Sequence, residues 1–167
     1  MTDGFQLSFD TLTSVLSARF RGVFVNASKP DITGITTDTR TVNPGDVFVA
    51  LAGETFDGHR FAEAAIEKGA IAAIVKKGAI PTTETFPRLE VDDTLVAYQT
   101  LGRWWRRQKG LPVVAITGSV GKTTTKELVA GALSKFGPEL KTQANYNHAI
   151  DVTQTLQGKT SEHDYAH

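Results

Sequence analysis

At 167 residues with 40% hydrophobic content, the chain can hold one ordinary domain or two small ones with a real core. Eighteen basic residues balance eighteen acidic ones, which excludes a global field that would recruit nucleic acid or an anionic membrane. Cysteine is absent, so disulfides and thiolate metal sites are excluded, and a reducing cytoplasm is the expected setting.

In chain order, Met1-Thr2-Asp3-Gly4 lacks the basic and apolar segments of a signal peptide, and no apolar run approaches membrane-spanning length. Ser8 is placed to cap a helix whose apolar positions, Leu12, Val15, Leu16 and Ala18 to Phe20, run on to Gly22 as a cover for a small sheet. From Ile35 the pattern turns to short extended pieces. Pro44-Gly45 marks a type II turn before the strand Val47–Leu51, because proline presets one φ and glycine supplies the positive one. A second helix through Phe61, Ala64, Ala65 and Ile66 ends at Gly69. A buried strand over 70–75, a surface loop over 78–86 and a short strand Arg88–Asp92 complete a compact α/β unit near Asp93.

A third helix, capped by Asp93 or Thr94, carries Leu95, Tyr98, Leu101 and Trp105 as its apolar stripe. Its basic cluster of Arg103, Arg106, Arg107 and Lys109 is read as a solvated helix end that complements the dipole rather than as a nucleic-acid patch.

The most informative stretch follows. Pro112 to Ile116 reads as a strand, Thr117-Gly118-Ser119-Val120-Gly121 as a turn, and Lys122-Thr123-Thr124-Thr125 as the start of an amphipathic helix. Gly118 and Gly121 let backbone N–H groups approach phosphate oxygens where a side chain would stand in the way. Ser119 and Val120 contribute to the same cradle. Lys122 supplies a point charge to the outer phosphates and is the catalytic candidate. Thr123 or Thr124 can present a hydroxyl to Mg²⁺, and the helix dipole favours the anion. Ile116 stands where the general phosphate-loop pattern has its first glycine, so this is a variant form. The helix continues through Leu128, Val129, Ala132, Leu133 and Phe136 and stops at Gly137-Pro138. A strand-like Glu139–Thr142, a short helix through Val152 and Leu156, and a polar end over 158–167 without a further apolar strand close the chain.

Two regions together resemble the Mur ligases, ATP-dependent amide ligases of peptidoglycan precursor synthesis. They are Thr37-Asp38-Thr39-Arg40 with Pro44 to Ala50 and Phe56-Asp57-Gly58-His59, and the later Thr117 to Glu127. Lys126-Glu127 and Asn145-Tyr146-Asn147 are most similar to the branch that adds D-alanyl-D-alanine to UDP-N-acetylmuramoyl-tripeptide. The resemblance implies an α/β fold in two parts: residues 1–93 as a UDP-sugar-binding domain and 94–167 as the start of a doubly wound ATPase domain. It implies ATP and Mg²⁺ as cofactors, with Gly118 to Thr124 on ATP and Thr123 on the metal. Thr39, Arg40, Asp57, Gly58, His59, Asn145 and Asn147 are the implied substrate contacts. An Asp38–Arg40 salt bridge that only holds a turn, and a His59 that only caps a helix, are the competing readings of those residues.

The family's pattern after Asn147 departs here at Asp151 and Thr153, where glycine and proline are usual. The family also runs on into a strand with a Mg²⁺-binding glutamate, an adenine pocket and a third domain. The chain alone is therefore expected to bind a UDP-sugar and to fail to ligate. The alternatives are a non-catalytic binding module that pairs with another protein, and a ligase of the neighbouring branch acting on the dipeptide.

Overall fold

Ser8 opens the first helix as its sequence position requires: its backbone is extended and its side-chain oxygen accepts the N–H of Thr11. The computed structural model describes residues 6–22, 24, 29–53, 56–110 and 114–135, with the backbone of 139–140 and 165–166. The chain divides into two units, one over Phe5–Leu101 and the other from Gly102 onward. Each is described by itself.

In the first unit, β1 (Leu7–Ser8) pairs antiparallel with β3 (Asp31–Ile32) and leads into α1 (Phe9–Leu16). This helix stops earlier than the apolar spacing suggests. Ser17 takes a left-handed conformation at φ 49°, and its N–H bonds back to the last turn. The residues read as the helix's final turn instead form β2 (Arg19–Arg21), which pairs antiparallel with β7 (Arg88–Val91). Phe20 still faces α1, its ring edge-on to Phe9 at 5.2 Å. Apolar character alone could not separate a last helical turn from a three-residue strand.

The main sheet has the order β2-β7-β6-β5-β4, with β4 as Gly34–Thr36, β5 as Asp46–Val49 and β6 as Ala72–Lys76. From β4 to β7 every neighbouring pair is parallel. Strands buried on both faces read as continuous apolar runs, which is the character of β5 and β6. Phe48, Ala73 and Val75 face one side, where Ala62 and Ala65 of α2 (Ala62–Glu67) and Val42 pack. Val47, Val49 and Ile74 point to the opposite side and are also fully buried.

The turn before β5 has the expected form: Asp46 N–H bonds the Asn43 carbonyl at 3.1 Å across Pro44 and Gly45, whose φ is 93°. The segment 78–86 is more than a surface loop. Ile80 is buried against the α2 face, and the buried Arg88 guanidinium donates to the carbonyls of Glu84 at 2.7 Å and Pro81 at 3.5 Å.

Asp93 caps α3 (Thr94–Lys109) by accepting from Val96 N–H at 2.9 Å. Its buried stripe is Thr94, Ala97, Tyr98, Leu101 and Trp105, while Leu95 is exposed, which corrects its assignment to the stripe. The stripe follows i, i+3, i+4 from Thr94, whose methyl and hydroxyl hid its inward position. Arg103, Arg106 and Arg107 are exposed, and the side chain of Lys109 lies outside the described residues.

In the second unit, residues 114–118 form no strand, in contrast to the reading of Pro112–Ile116, whose first two residues lie outside the described ones. The helix is present as α4 (Lys122–Leu133). Beyond it, β8 (Glu139–Leu140) pairs in parallel with β9 (Tyr165–Ala166), so the polar end does supply a strand. The two-residue pairing is set by a distant partner, and no local period announces it. The readings of Phe136, of Gly137-Pro138, of Asn145 and Asn147, and of a helix through Val152 and Leu156 lie outside the described residues. Among the described residues no helix is long and apolar enough to cross a membrane.

Candidate functional site

Thr39 and Arg40 sit on a turn built at the end of β4. Thr36 Oγ1 accepts from Asp38 N–H, and Thr41 N–H donates to the Asp38 carbonyl, both at 3.1 Å. Asp38 then holds Arg40 by its backbone N–H at 2.9 Å and by Nε at 3.0 Å, with Nη2 on the second carboxylate oxygen. The hydrogen bond from the Arg40 side chain pulls the Asp38 carboxyl down to about 2, with the Arg40 backbone N–H assisting. The turn-holding salt bridge is thus present. It leaves most of the Arg40 side chain open to solvent, so the same bond aims the guanidinium outward. Lys68, just past α2, donates to the Thr39 carbonyl at 2.9 Å, a contact that sequence reading did not single out. Its only signal was a cation placed one residue before the helix-ending Gly69.

Asp57, Gly58 and His59 are built differently, at the other end of the α2 segment. Gly58 approaches the chain so closely that a Cβ would lie 2.6 Å from the Leu51 carbonyl oxygen, and its own N–H donates there at 2.8 Å. Asp57 caps the 3₁₀ turn Gly58–Phe61 by accepting from His59 N–H at 3.0 Å. His59 is buried, and its Nε2 accepts the backbone N–H of Lys76 at 3.0 Å. That bond places the ring proton on Nδ1, which donates to Asp57 Oδ1 at 2.6 Å. Both ring nitrogens are therefore engaged inside the protein. The Asp57 carboxyl lies below its ordinary value, chiefly through the His59 side-chain bond and then the His59 backbone N–H. Beside them is a cleft of about 200 Å³ lined by Asp57, His59, Arg60, Glu63, Ile80 and Glu84.

The structure does not join these two groups in one hydrogen-bonded constellation. Thr39 and Arg40 are tied to Lys68 behind the last residue of α2, whereas Asp57 to His59 precede its first. The rigid element between them fixes their spacing.

In the second unit Gly118 has φ 154° and Gly121 φ 79°. No neighbouring atom lies within 4 Å of a Cβ built at Gly121, so its need for glycine is conformational. Gly121 is also the N-cap of α4 and offers no side-chain bond to the first turn. The opening N–H groups of a twelve-residue helix thus have no side-chain cap from Gly121, which suits a phosphate. Lys122 Nζ donates to the Gly118 carbonyl at 2.6 Å and so reaches back over the loop. Ser119, Val120, Thr123 and Thr124 are exposed. These residues fit a nucleotide's phosphates. For a metal the loop offers the Thr123 hydroxyl, and among the described residues no cluster of three or more His, Cys, Asp or Glu side chains adds to it. A magnesium ion held there would take its other ligands from phosphate and water.

A parallel-dominated α/β unit is followed in the chain by a glycine loop at a helix start. Residues 31–102 match the Mur ligase family, catalytic domain, and residues 116–167 match the Mur ligase middle domain. The chain belongs to the Mur ligase family, and within it the chain is most like MurF.

It is 49% identical over 135 residues, 81% of its length, to the UDP-N-acetylmuramoyl-tripeptide–D-alanyl-D-alanine ligase of Synechocystis, covering 30% of that protein. To the ligase of the same name from Escherichia coli it is 41% identical over 96% of its length, covering 34%. A crystal structure of MurF from Acinetobacter baumannii superposes with a TM-score of 0.83 at 34% identity, over 98% of this chain and 35% of that one. MurF from Thermotoga maritima, solved in complex with ADP, gives 0.67 at 30% identity, over 79% and 30%. The chain spans about a third of the length of the curated relatives it matches.

Proposed function

We propose that this chain supplies the UDP-sugar-binding and ATP-phosphate-binding parts of a ligase that adds D-alanyl-D-alanine to UDP-N-acetylmuramoyl-tripeptide. The observation that carries the reading is one chain holding, in order, the braced Asp38–Arg40 turn and an uncapped phosphate loop before α4, with 41–49% identity to ligases of that name.

In this reading residues 1–93 hold the UDP-sugar, and 94–167 begin the ATP domain. Arg40, presented by Asp38, meets the substrate's phosphates as a planar donor fork. Thr39 lies beside it with its carbonyl held by Lys68. Asp57 keeps its charge at neutral pH and offers Oδ2 to a donor, while Gly58 and His59 set the turn's position. Lys122 leaves the Gly118 carbonyl and takes the outer phosphates of ATP; the substrate carboxylate takes the γ-phosphoryl group as ADP leaves, and the resulting acyl phosphate is attacked by the amine with release of inorganic phosphate. Transfer of this kind depends on positioning and charge neutralisation. The backbone from Gly118 to Lys122, with Thr124, supplies the cradle. Thr123 is the metal contact, and bound Mg²⁺ would neutralise charge on the phosphates. Asn145 and Asn147 are proposed as further substrate contacts.

Calorimetric titration of the chain with UDP-N-acetylmuramoyl-tripeptide and, separately, with ATP tests this. Saturable heats for both are expected, with no ligation on addition of D-alanyl-D-alanine. An absence of any response to the UDP-tripeptide would remove the substrate assignment, and product formation by this chain would remove the division of labour.

A further inference from the structure

Lys68 is bonded differently from Lys29 and Lys77 of the same unit, whose ammonium groups meet the carboxylates of Asp10 and Asp92. Its side chain is exposed and, among the described residues, lies in no ion pair. The ammonium donates instead to a neutral carbonyl, that of Thr39, 29 residues earlier in the chain.

The backbone under this side chain is fixed. Lys68 N–H bonds the Ala64 carbonyl at 3.2 Å, Ala70 N–H the Ala65 carbonyl at 3.0 Å, and Ile71 N–H the Asp46 carbonyl at 2.8 Å. Ala65 and Ala70 are buried, and a Cβ built on Gly69, whose φ is 109°, would stand 3.5 Å from the Pro44 Cα. The end of α2 therefore runs against the turn before β5, and the ammonium works from a firm base.

What it holds is one edge of a peptide. The unit joining Thr39 to Arg40 accepts from Lys68 Nζ at its carbonyl and donates its N–H to Asp38 Oδ1, each at 2.9 Å. Among the described residues no peptide bond is cis, so these two groups point in opposite directions from a flat unit. Both bonds are charge-assisted, and each polarises the peptide in the sense that strengthens the other. A peptide caught at both edges cannot turn over, which sets ψ of Thr39 and φ of Arg40 and with them the directions in which the two side chains leave the backbone. The opposite placement also decides the kind of role. Asp38 holds the Arg40 guanidinium as well as its N–H, so the guanidinium belongs to that edge and Lys68 to the other. A cation on the far edge steers Arg40 rather than sharing a phosphate with it.

We propose that Lys68 is a positioning residue for the UDP-sugar site: by clamping the Thr39–Arg40 peptide from its carbonyl edge, it holds both side chains in the conformation that receives the nucleotide's diphosphate. The proposal rests on the UDP-sugar reading and deepens it. It ties that turn to the end of α2, an element outside the turn's own motif.

The test uses the full chain, unaltered and as Lys68→Met and Lys68→Arg. Two quantities are measured: UDP affinity by calorimetric titration, and the water-exchange rate of the Arg40 amide by NMR in the absence of ligand. Thermal unfolding checks the fold, and because the bond is exposed the Tm should stay within about 2 °C. We expect Lys68→Met to lose about fivefold in UDP affinity and its Arg40 amide to exchange about threefold faster or more, while Lys68→Arg, which keeps a long donor, stays near the unaltered values in both. A loss of UDP affinity in Lys68→Met with Arg40 exchange unchanged would make Lys68 a direct contact and overturn the clamp. Equal UDP affinity in Lys68→Met and the unaltered protein would overturn the clamp and leave the UDP reading standing. No UDP binding by the unaltered protein would overturn both.

Discussion

In the unit from Phe5 to Leu101, the turns that carry the candidate contacts are tied to other elements of the fold. Arg40 hangs on Asp38, whose backbone is bonded to Thr36 at the end of β4, Thr39 is held by Lys68, and His59 is pinned by the N–H of Lys76 in β6. The glycine loop of the second unit is shaped by local means instead: two glycines with positive φ, a helix start, and a lysine bonded to the carbonyl four residues before it. The burial differs in the same direction. β5 and most of β6 are buried, whereas in the second unit Val120 and Leu128 are 89% and 70% exposed. A site braced by a core inherits the core's stability. A loop built from backbone conformation keeps its shape with little packing around it.

The contrast is broken most forcefully in the core. Phe48→Ala removes a ring packed against α2 and is expected to cost about 3–5 kcal/mol in urea unfolding, while Leu128→Ala on α4 should stay within about 0.5 kcal/mol. Equal costs would erase the distinction. Gly58→Ala comes next. Its Cβ would meet Leu51 backbone atoms at 2.6 and 2.9 Å, so a loss of about 1–3 kcal/mol is expected, readable as a lowered Tm. Gly131→Ala, inside α4 with open space around the new methyl, should instead stabilise by about 0.5–1 kcal/mol.

The smallest effect is electrostatic. The Asp38 carboxyl titrates at about 2 in the folded chain, below its ordinary 3.8, so its bond to Arg40 stabilises fully above the ordinary value. That contribution fades as pH falls through about 2. The pair is exposed, so solvent screening keeps that contribution small. The stability difference between the unaltered chain and Asp38→Asn should therefore shrink between about pH 4 and pH 2. A difference that is constant over that range would show that the pair contributes nothing to folding.

What could be read from the sequence follows the same division between local and distant causes. Ser8, Asp93, Pro44-Gly45 and Gly69 announce a cap or a turn within four residues, and each has the expected geometry. The conformation of the glycine loop was legible for the same reason, since Gly118, Gly121 and the start of α4 are set by their neighbours. Partners from elsewhere were hidden. The strand character of Arg19–Arg21 depends on β7, that of Tyr165–Ala166 on β8, and the roles of Lys68 and Arg88 on carbonyls in other segments. His59 shows the limit most clearly: its motif position suggested a ligand contact, and only the N–H of Lys76 shows that the ring is fully occupied. The exposed stack of Phe56 and Phe61 was hidden because apolar residues five apart beside a helix start read as core.

We propose that the two units carry separate sites, one for the UDP-sugar and one for the phosphates of ATP. Calorimetric titration of Arg40→Ala and Lys122→Ala with UDP-N-acetylmuramoyl-tripeptide and with ATP tests it by crossing. The account predicts that Arg40→Ala weakens the UDP ligand at least tenfold and leaves ATP unchanged, and that Lys122→Ala does the reverse. Loss of both ligands in either variant, or retention of the UDP ligand by Arg40→Ala, would contradict it.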